Sequence, residues 1–283
     1  MLQQQKIGFI GSGNMGEALI SGIVLSKAAK PENIICSDIS QEQLNNIKEK
    51  YNIETTTKNL DVVENSDIIV YATKPQILAS VLKETAHALD MSKLVISIAA
   101  GVPLAAISAG LNKELRLIRV MPNICAFVRE SATAIAAGAH VKDGDIDLAK
   151  AIFDSIGKTV FIQENILMDA FTGLSGSGPA YIFLIIDAMA DAGVKMGLSR
   201  KDSLFLSTQT VMGAAKLLME TKEHPGSLKD RVTSPGGTAI AGIHTLEEGG
   251  LRTTMINAVQ AATNRATELG EMMIKSFKEN NGA

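Results

Sequence analysis

Through the first half of the chain, short apolar runs alternate with stretches in which apolar positions recur every three or four residues. That rhythm predicts a mostly parallel β-sheet wrapped by helices. Lys6–Ile10, Asn33–Ser37, Asp67–Ala72, Leu94–Ala99 and Leu115–Val120 are the expected strands, and Ser131–Ala137 and Lys158–Ile162 extend one edge. Ser40 followed by Gln43 has capping-box spacing and marks a helix start. After about Asn165 no alternating or β-branched run follows. The pattern there is purely helical, over 178–196, 200–222 and 251–277, with Gly, Pro and Ser clusters between. An α/β half followed by an all-α half is the expected fold class.

Composition sharpens the second half. The chain has 283 residues, 46% of them hydrophobic, 4% aromatic and none tryptophan. Its helices carry small and apolar residues all round, as in Val211–Met219, and a helix without a polar face is normally buried. So small a helical unit has limited core of its own, so these helices are expected to pack against a second subunit. A formal charge of -3 gives no footprint for nucleic acid or an anionic membrane. The N-terminus lacks a basic segment followed by a long apolar run, and the apolar run Tyr181–Ile186 is cut by Asp187. That run is well short of the roughly 20 residues that span a bilayer. Cys36 and Cys125 are too few for a disulfide framework. A soluble cytoplasmic protein, without membrane or nucleic-acid partners, is expected.

The chemistry begins at Gly11-Ser12-Gly13-Asn14-Met15-Gly16, which follows an apolar strand and opens a helical pattern. In that context G-x-G-x-x-G is a dinucleotide-binding turn. Gly11 permits the turn, Gly13 lets backbone approach a pyrophosphate, and Gly16 lets helix and strand pack closely. Asp38, at the end of the second strand, suits the ribose hydroxyls of NAD(H). A 2′-phosphate beside it would be opposed by about 1 kcal/mol in water and about 4 at an effective dielectric of 20. Lys58 and Asn59 are placed to favour the opposite choice, so NAD(P)H is expected, with Asp38 leaning toward NADH. Ligands in open parallel sheets lie beyond the carboxyl ends of the strands. Thr73, Lys74, Pro75, Ala99, Ala100 and Gly101 occupy such ends.

Two segments of the helical half resemble anion sites. Residues 173–179 (GLSGSGP) lead into one helix, with Pro179 at a first-turn position, and 232–238 (VTSPGGT) lead into another. Each puts hydroxyls and backbone N–H groups at a helix N-terminus, suited to a carboxylate. His87, His140, His224 and His244 have no zinc-ligand spacing, so no metal is expected. Without a His/Asp arrangement, the reaction is expected to need little acid–base help.

The segments GFIGSGNMG (8–16), ATKP (72–75), SIAAG (97–101), RVMPN (119–123), TGLSGSGPAY (172–181), GVKMGL (193–198), HPGSLKD (224–230) and VTSPGGT (232–238) together resemble pyrroline-5-carboxylate reductase. The match covers the chain in order. The resemblance implies a Rossmann domain over 1–163 and a helical substrate-binding and dimerisation domain over 164–283. It also implies hydride transfer from NAD(P)H to the C=N bond of 1-pyrroline-5-carboxylate, giving L-proline, the last step of proline biosynthesis. The assembly implied is a homodimer, often a pentamer of dimers. Carried over by motif, Ser175, Ser177, Gly178, Ser234, Gly236, Gly237 and Thr238 would bind substrate. Residues 11–16, Asp38, Asn59, Ala72–Pro75, Ala99–Gly101 and Asn123 would bind cofactor. Many relatives carry threonine where this chain has Ala239, so either Thr238, Ser234 or water protonates the imine, or the substrate is protonated before binding and needs no donor; water or pre-protonation is the expectation, with Thr238 the best side-chain candidate. A β-hydroxyacid dehydrogenase shares the layout, but Lys195 and Lys216 do not sit in that family's motif.

Overall fold

The computed structural model describes residues 2–111, 113–164 and 166–280. The expected change of character near Asn165 therefore falls on a residue outside those described. Eight strands form one sheet: β1 (Ile7–Ile10), β2 (Ile34–Ser37), β3 (Glu54–Thr56), β4 (Ile68–Tyr71), β5 (Leu94–Ser97), β6 (Arg116–Met121), β7 (Ser131–Ala137) and β8 (Gly157–Phe161). Their order is β3-β2-β1-β4-β5-β6-β7-β8. Every pairing is parallel except β6 with β7. The helices between them are α1 (Asn14–Leu25), α2 (Gln41–Tyr51), α3 (Asn59–Glu64), α4 (Pro75–Thr85), α5 (Leu104–Leu111) and α6 (Asp145–Phe153).

Alternation along β4 shows how the sheet is sandwiched. Ile68 and Val70 join one apolar cluster, with Phe9, Leu19 and Phe153, while Ile69 and Tyr71 join the other, with Val62, Leu78 and Ile107. All four side chains are buried, as in a strand covered on both faces. The short strand β3 was not expected. It is an edge strand of sequence Glu-Thr-Thr, partly exposed and paired only with β2, so it carries no apolar signal. The capping box is half made: Ser40 Oγ accepts the Gln43 N–H at 3.3 Å, but the Gln43 side chain donates to Ser12 O and Glu17 instead.

The remaining helices are α7 (Ile166–Phe171), α8 (Gly178–Lys195), α9 (Arg200–Thr221), α10 (Pro225–Arg231), α11 (Thr238–Glu248) and α12 (Leu251–Asn280), and Thr172–Gly176 is a π-helical turn. The chain divides into two compact units. One comprises the chain to Gly176 together with Ala261 onward; the other is Ser177–Gln260. The end of α12 thus belongs to the α/β unit. There Phe277 is 2% exposed and packs on Gly110 of α5, where an added Cβ would lie 2.6 Å from its ring.

In the second unit, α8 and α9 meet through small residues. Ala190, Ser203 and Ser207 are its buried positions, and a Cβ on Gly193 would lie 2.7 Å from Ser203 Oγ. Larger side chains point outward: Phe183, Leu184, Met196, Phe205, Met212 and Met219 are all more than half exposed.

Candidate dinucleotide and substrate site

At the end of β1 the chain turns through Gly11, at φ +96, where a Cβ would meet the Ala72 carbonyl oxygen at 2.8 Å. Gly13 N-caps α1, and a Cβ there would meet nothing within 4 Å, so its open side can take a ligand against bare backbone. A Cβ on Gly16 would collide with the Gly11 carbonyl, which explains the third glycine as a packing requirement. The N–H groups opening α1 face no intrahelical acceptor and bring the positive end of the helix dipole.

Beyond these strand ends lies a cleft of about 640 Å³. Its walls include the expected Gly13, Asn14, Met15, Ala72, Thr73, Lys74, Pro75, Ala99, Ala100 and Asn123. Gly11, Ser12 and Gly16 form the floor of the turn rather than the wall. Gly101 also lies behind the wall: it is buried at φ +70, with Leu269 of α12 at 3.4 Å from where its Cβ would be. Sequence reasoning missed Ile98, Met121, Pro122, Ile124, Phe127 and Gly176, which complete the cleft. The available signal was Ile124 and Phe127, apolar residues in a short 3-10 helix just past the carboxyl end of β6.

Asp38 is half-buried, and its carboxylate reaches back to the glycine turn. Oδ2 accepts the Ser12 N–H at 2.9 Å and Ser12 Oγ–H at 3.2 Å, while Oδ1 accepts the Ser40 N–H at 3.0 Å. Gln43 Nε2 donates to Ser12 O at 2.7 Å, so the turn is held from both directions. Beneath it, burial pushes the Cys36 thiol up to about 12, with the Asp38 charge adding to the effect, so this cysteine stays protonated and inert. Asn59 lies beside β2, where its Oδ1 accepts the Ser37 hydroxyl at 2.8 Å and its Nδ2 donates to Glu84.

Asn123 does more than line the wall. Its Oδ1 accepts the Cys125 N–H, and its Nδ2 donates to Ser175 O at 3.1 Å and Ser175 Oγ at 3.2 Å. Ser175 Oγ in turn donates to Ala132 O. These two expected ligand residues hold each other, tying the π-helical turn to the strand ends; such turns recur at functional sites.

In the second unit Ser177 precedes α8 without a side-chain cap, and Pro179 sits in the first turn as expected. Ser234–Gly237 form a tight turn: the Gly237 N–H donates to Ser234 O at 3.0 Å, Gly236 has φ +67, and Gly237 N-caps α11, which Thr238 opens. Both segments therefore present backbone donors at helix N-termini. Among the described residues no group of His, Cys, Asp and Glu is arranged to hold a metal.

Comparison with known proteins accounts for both units. Residues 165–269 match the family model "Pyrroline-5-carboxylate reductase dimerisation", and residues 6–101 match "NADP oxidoreductase coenzyme F420-dependent". A pyrroline-5-carboxylate reductase of Methanosarcina acetivorans is 50% identical over 95% of this chain and 100% of its own length. One from Arabidopsis thaliana is 41% identical over 94% and 96%. The chain belongs to the pyrroline-5-carboxylate reductase family. The solved reductase of Coxiella burnetii superposes with a TM-score of 0.90 at 38% identity, covering 94% of this chain and 98% of that one. A Plasmodium falciparum pyrroline carboxylate reductase, solved with NADP bound, gives 0.85 at 34%, covering 95% and 100%. This is accordingly an NAD(P)H-dependent oxidoreductase acting on an imine bond, with a Rossmann unit and a helical dimerisation region. The β-hydroxyacid dehydrogenase alternative falls away.

One sequence expectation needs correction. The run Leu167–Lys195 is long and apolar enough to cross a membrane, with only 11% of its most apolar window buried within the chain. The break at Asp187 does not interrupt it. The dimerisation model spans this run, so its exposed apolar surface is explained by association between subunits.

Proposed function

We propose that within this family's reaction the chain prefers NADH to NADPH, holds the substrate carboxylate at the N-termini of α8 and α11, and takes a ring nitrogen already protonated by solvent, so that no side chain has to donate a proton. The observation that carries the cofactor reading is the carboxylate of Asp38, fixed by three hydrogen bonds beside the Gly-rich turn. Fixed there, it cannot swing away from an incoming 2′-phosphate. Oδ2 already accepts two of these bonds, and Oδ1, which accepts one, keeps a second lone pair for a ribose hydroxyl.

When bound, the dinucleotide supplies the hydride. The residues of the cleft fit it: an open Gly13, unpaired N–H groups at the start of α1, and strand-end backbone from Ala72 to Pro75 and at Ala99 and Ala100. Ser177, Gly178, Ser234, Gly236, Gly237 and Thr238 bind the substrate in this reading, offering hydroxyl and backbone donors to its carboxylate. A cyclic imine is basic enough to arrive protonated and already electrophilic. The chain's work is then orientation and exclusion of water. Addition of hydride to the iminium carbon moves the C=N π pair to nitrogen and gives the secondary amine of L-proline without a further proton. The reading includes a cytoplasmic enzyme assembled as homodimers, with a pentamer of dimers as the larger form.

Steady-state kinetics with pyrroline-5-carboxylate test the cofactor assignment. Wild type is expected to favour NADH by about tenfold in kcat/KM, the ratio that roughly 1.4 kcal/mol provides. Asp38→Ser is expected to lose that preference and gain NADPH use. A strong wild-type preference for NADPH would overturn the assignment.

A further inference from the structure

The sheet order separates Asp38, which does not line the cleft, from the strand ends that do. β2 with Asp38 lies on one side of β1, and β4, β5 and β6 lie on the other. With pyrophosphate at the β1 turn and the adenosine ribose at Asp38, the remaining half of a dinucleotide falls on the ends of β4 to β6. Ala99 and Ala100 after β5, and Met121–Asn123 at the end of β6, form that wall.

What joins these two pieces of wall lies behind them. Arg119 sits on β6 beside Ser97 of β5, with its side chain 3% exposed. Its Nη1 donates to Glu164 Oε1 at 2.8 Å. The same oxygen accepts the Leu104 N–H at 3.2 Å. Leu104 opens α5, so its N–H has no acceptor within the helix, and a carboxylate there also suits the helix dipole. One oxygen atom thus couples β6 to the first turn of α5, and the Ala99–Gly101 turn is strung between β5 and that helix. On its other side α12 closes in, with Leu269 against Gly101 and Pro103 Cγ 3.3 Å from where a Gly270 Cβ would lie.

We infer that Arg119 and Glu164 are positioning residues for the nicotinamide half of the cofactor, acting through the Ala99–Gly101 turn without touching the ligand. The inference rests on the reading of the cleft as the NAD(P)H site. The carboxylate does two jobs at once. It neutralises a guanidinium that burial would otherwise leave uncompensated, and it anchors the backbone that makes the wall. Deleting the charge on Glu164 releases both.

The test compares binding of NADH with binding of ADP, which carries only the adenosine and diphosphate. Titration calorimetry on full-length wild type and Glu164→Gln is expected to show NADH affinity falling about tenfold, or roughly 1.4 kcal/mol, with ADP affinity within twofold of wild type. The paired variant Arg119→Met with Glu164→Leu removes both charges and leaves no buried ion alone. It is expected to show the same NADH-selective loss, and it decides the matter if Glu164→Gln does not fold. Equal losses for ADP and NADH, or no loss for either, would overturn the inference. Failure of wild type to bind NADH or NADPH would instead refute the assignment of the cleft.

Discussion

Several residues in this site serve twice. Asp38, expected as a partner for ribose, also accepts the N–H and hydroxyl of Ser12 and so holds the glycine turn in shape. A substitution there changes selectivity and turn geometry together, and Asp38→Ser should weaken NADH binding while it admits NADPH. Asn123 shows the reverse: expected to meet the cofactor, it spends its amide on Ser175 and Cys125. In the proposed reading, Thr238 is the side-chain candidate for a proton donor to the ring nitrogen, a role that Ala239 cannot fill. It occupies the first position of α11, where its backbone is already useful to an anion. Thr238→Ala is expected to keep turnover within about twofold of wild type, because neither an iminium nor a water donor needs this hydroxyl. A loss that deepens as pH rises and the free imine accumulates would make Thr238 the proton donor.

At the scale of elements, the docking of α12 on the α/β unit is the largest single commitment. Phe277 fills the space left by Gly110 and joins the cluster containing Tyr71, Val95 and Ile107. Phe277→Ala is expected to cost about 3–5 kcal/mol in chemical denaturation, the usual range for an emptied aromatic site. A cost below about 1 kcal/mol would mean that the helix end is not part of that core. Little of this docking was legible in the sequence. The period of α12 shows which positions are apolar, but not which core they enter, because Phe277, Met273 and Ile274 repeat like any other helical stripe. The strands with β-branched cores on both faces, such as Ile68–Tyr71, announced themselves. The polar edge strand Glu54–Thr56 did not, since its pairing rests on backbone alone. Within the site, the glycine turn and the strand ends were readable as local patterns. The Arg119–Glu164 bond joins positions 45 apart in sequence and leaves no local trace.

For the molecule as a whole, the dominant fact is the apolar surface of the helical unit. Its two longest internal helices meet through Ala190, Gly193, Ser203 and Ser207, which brings their axes close and turns the bulky side chains outward. A surface carrying Phe183, Leu184, Phe205 and Met212 exceeds what a monomer usually exposes. The dimerisation model covers the same residues and supports homo-oligomerisation of the chain. Sedimentation at micromolar concentration is expected to show a dimer or a larger assembly. Leu184→Glu with Phe205→Glu should shift it to smaller species, since charges placed in an apolar contact must be desolvated. A monodisperse wild-type monomer would contradict the expectation.

The course of α12 also bears on how such a protein can be taken apart, in the laboratory or by genetic exchange. The α/β unit is not one uninterrupted stretch of chain, for it takes back Ala261 onward after the helical unit is complete. A gene fragment ending at Gly176 would encode every strand but omit the segment that covers Gly110 and backs Gly101. Such a fragment should be insoluble or need the missing helix supplied as a separate peptide. Recombination between relatives meets the same obstacle. A crossover after the last strand would pair one parent's sheet with the other parent's closing helix, so Phe277 and its socket must be inherited from compatible parents.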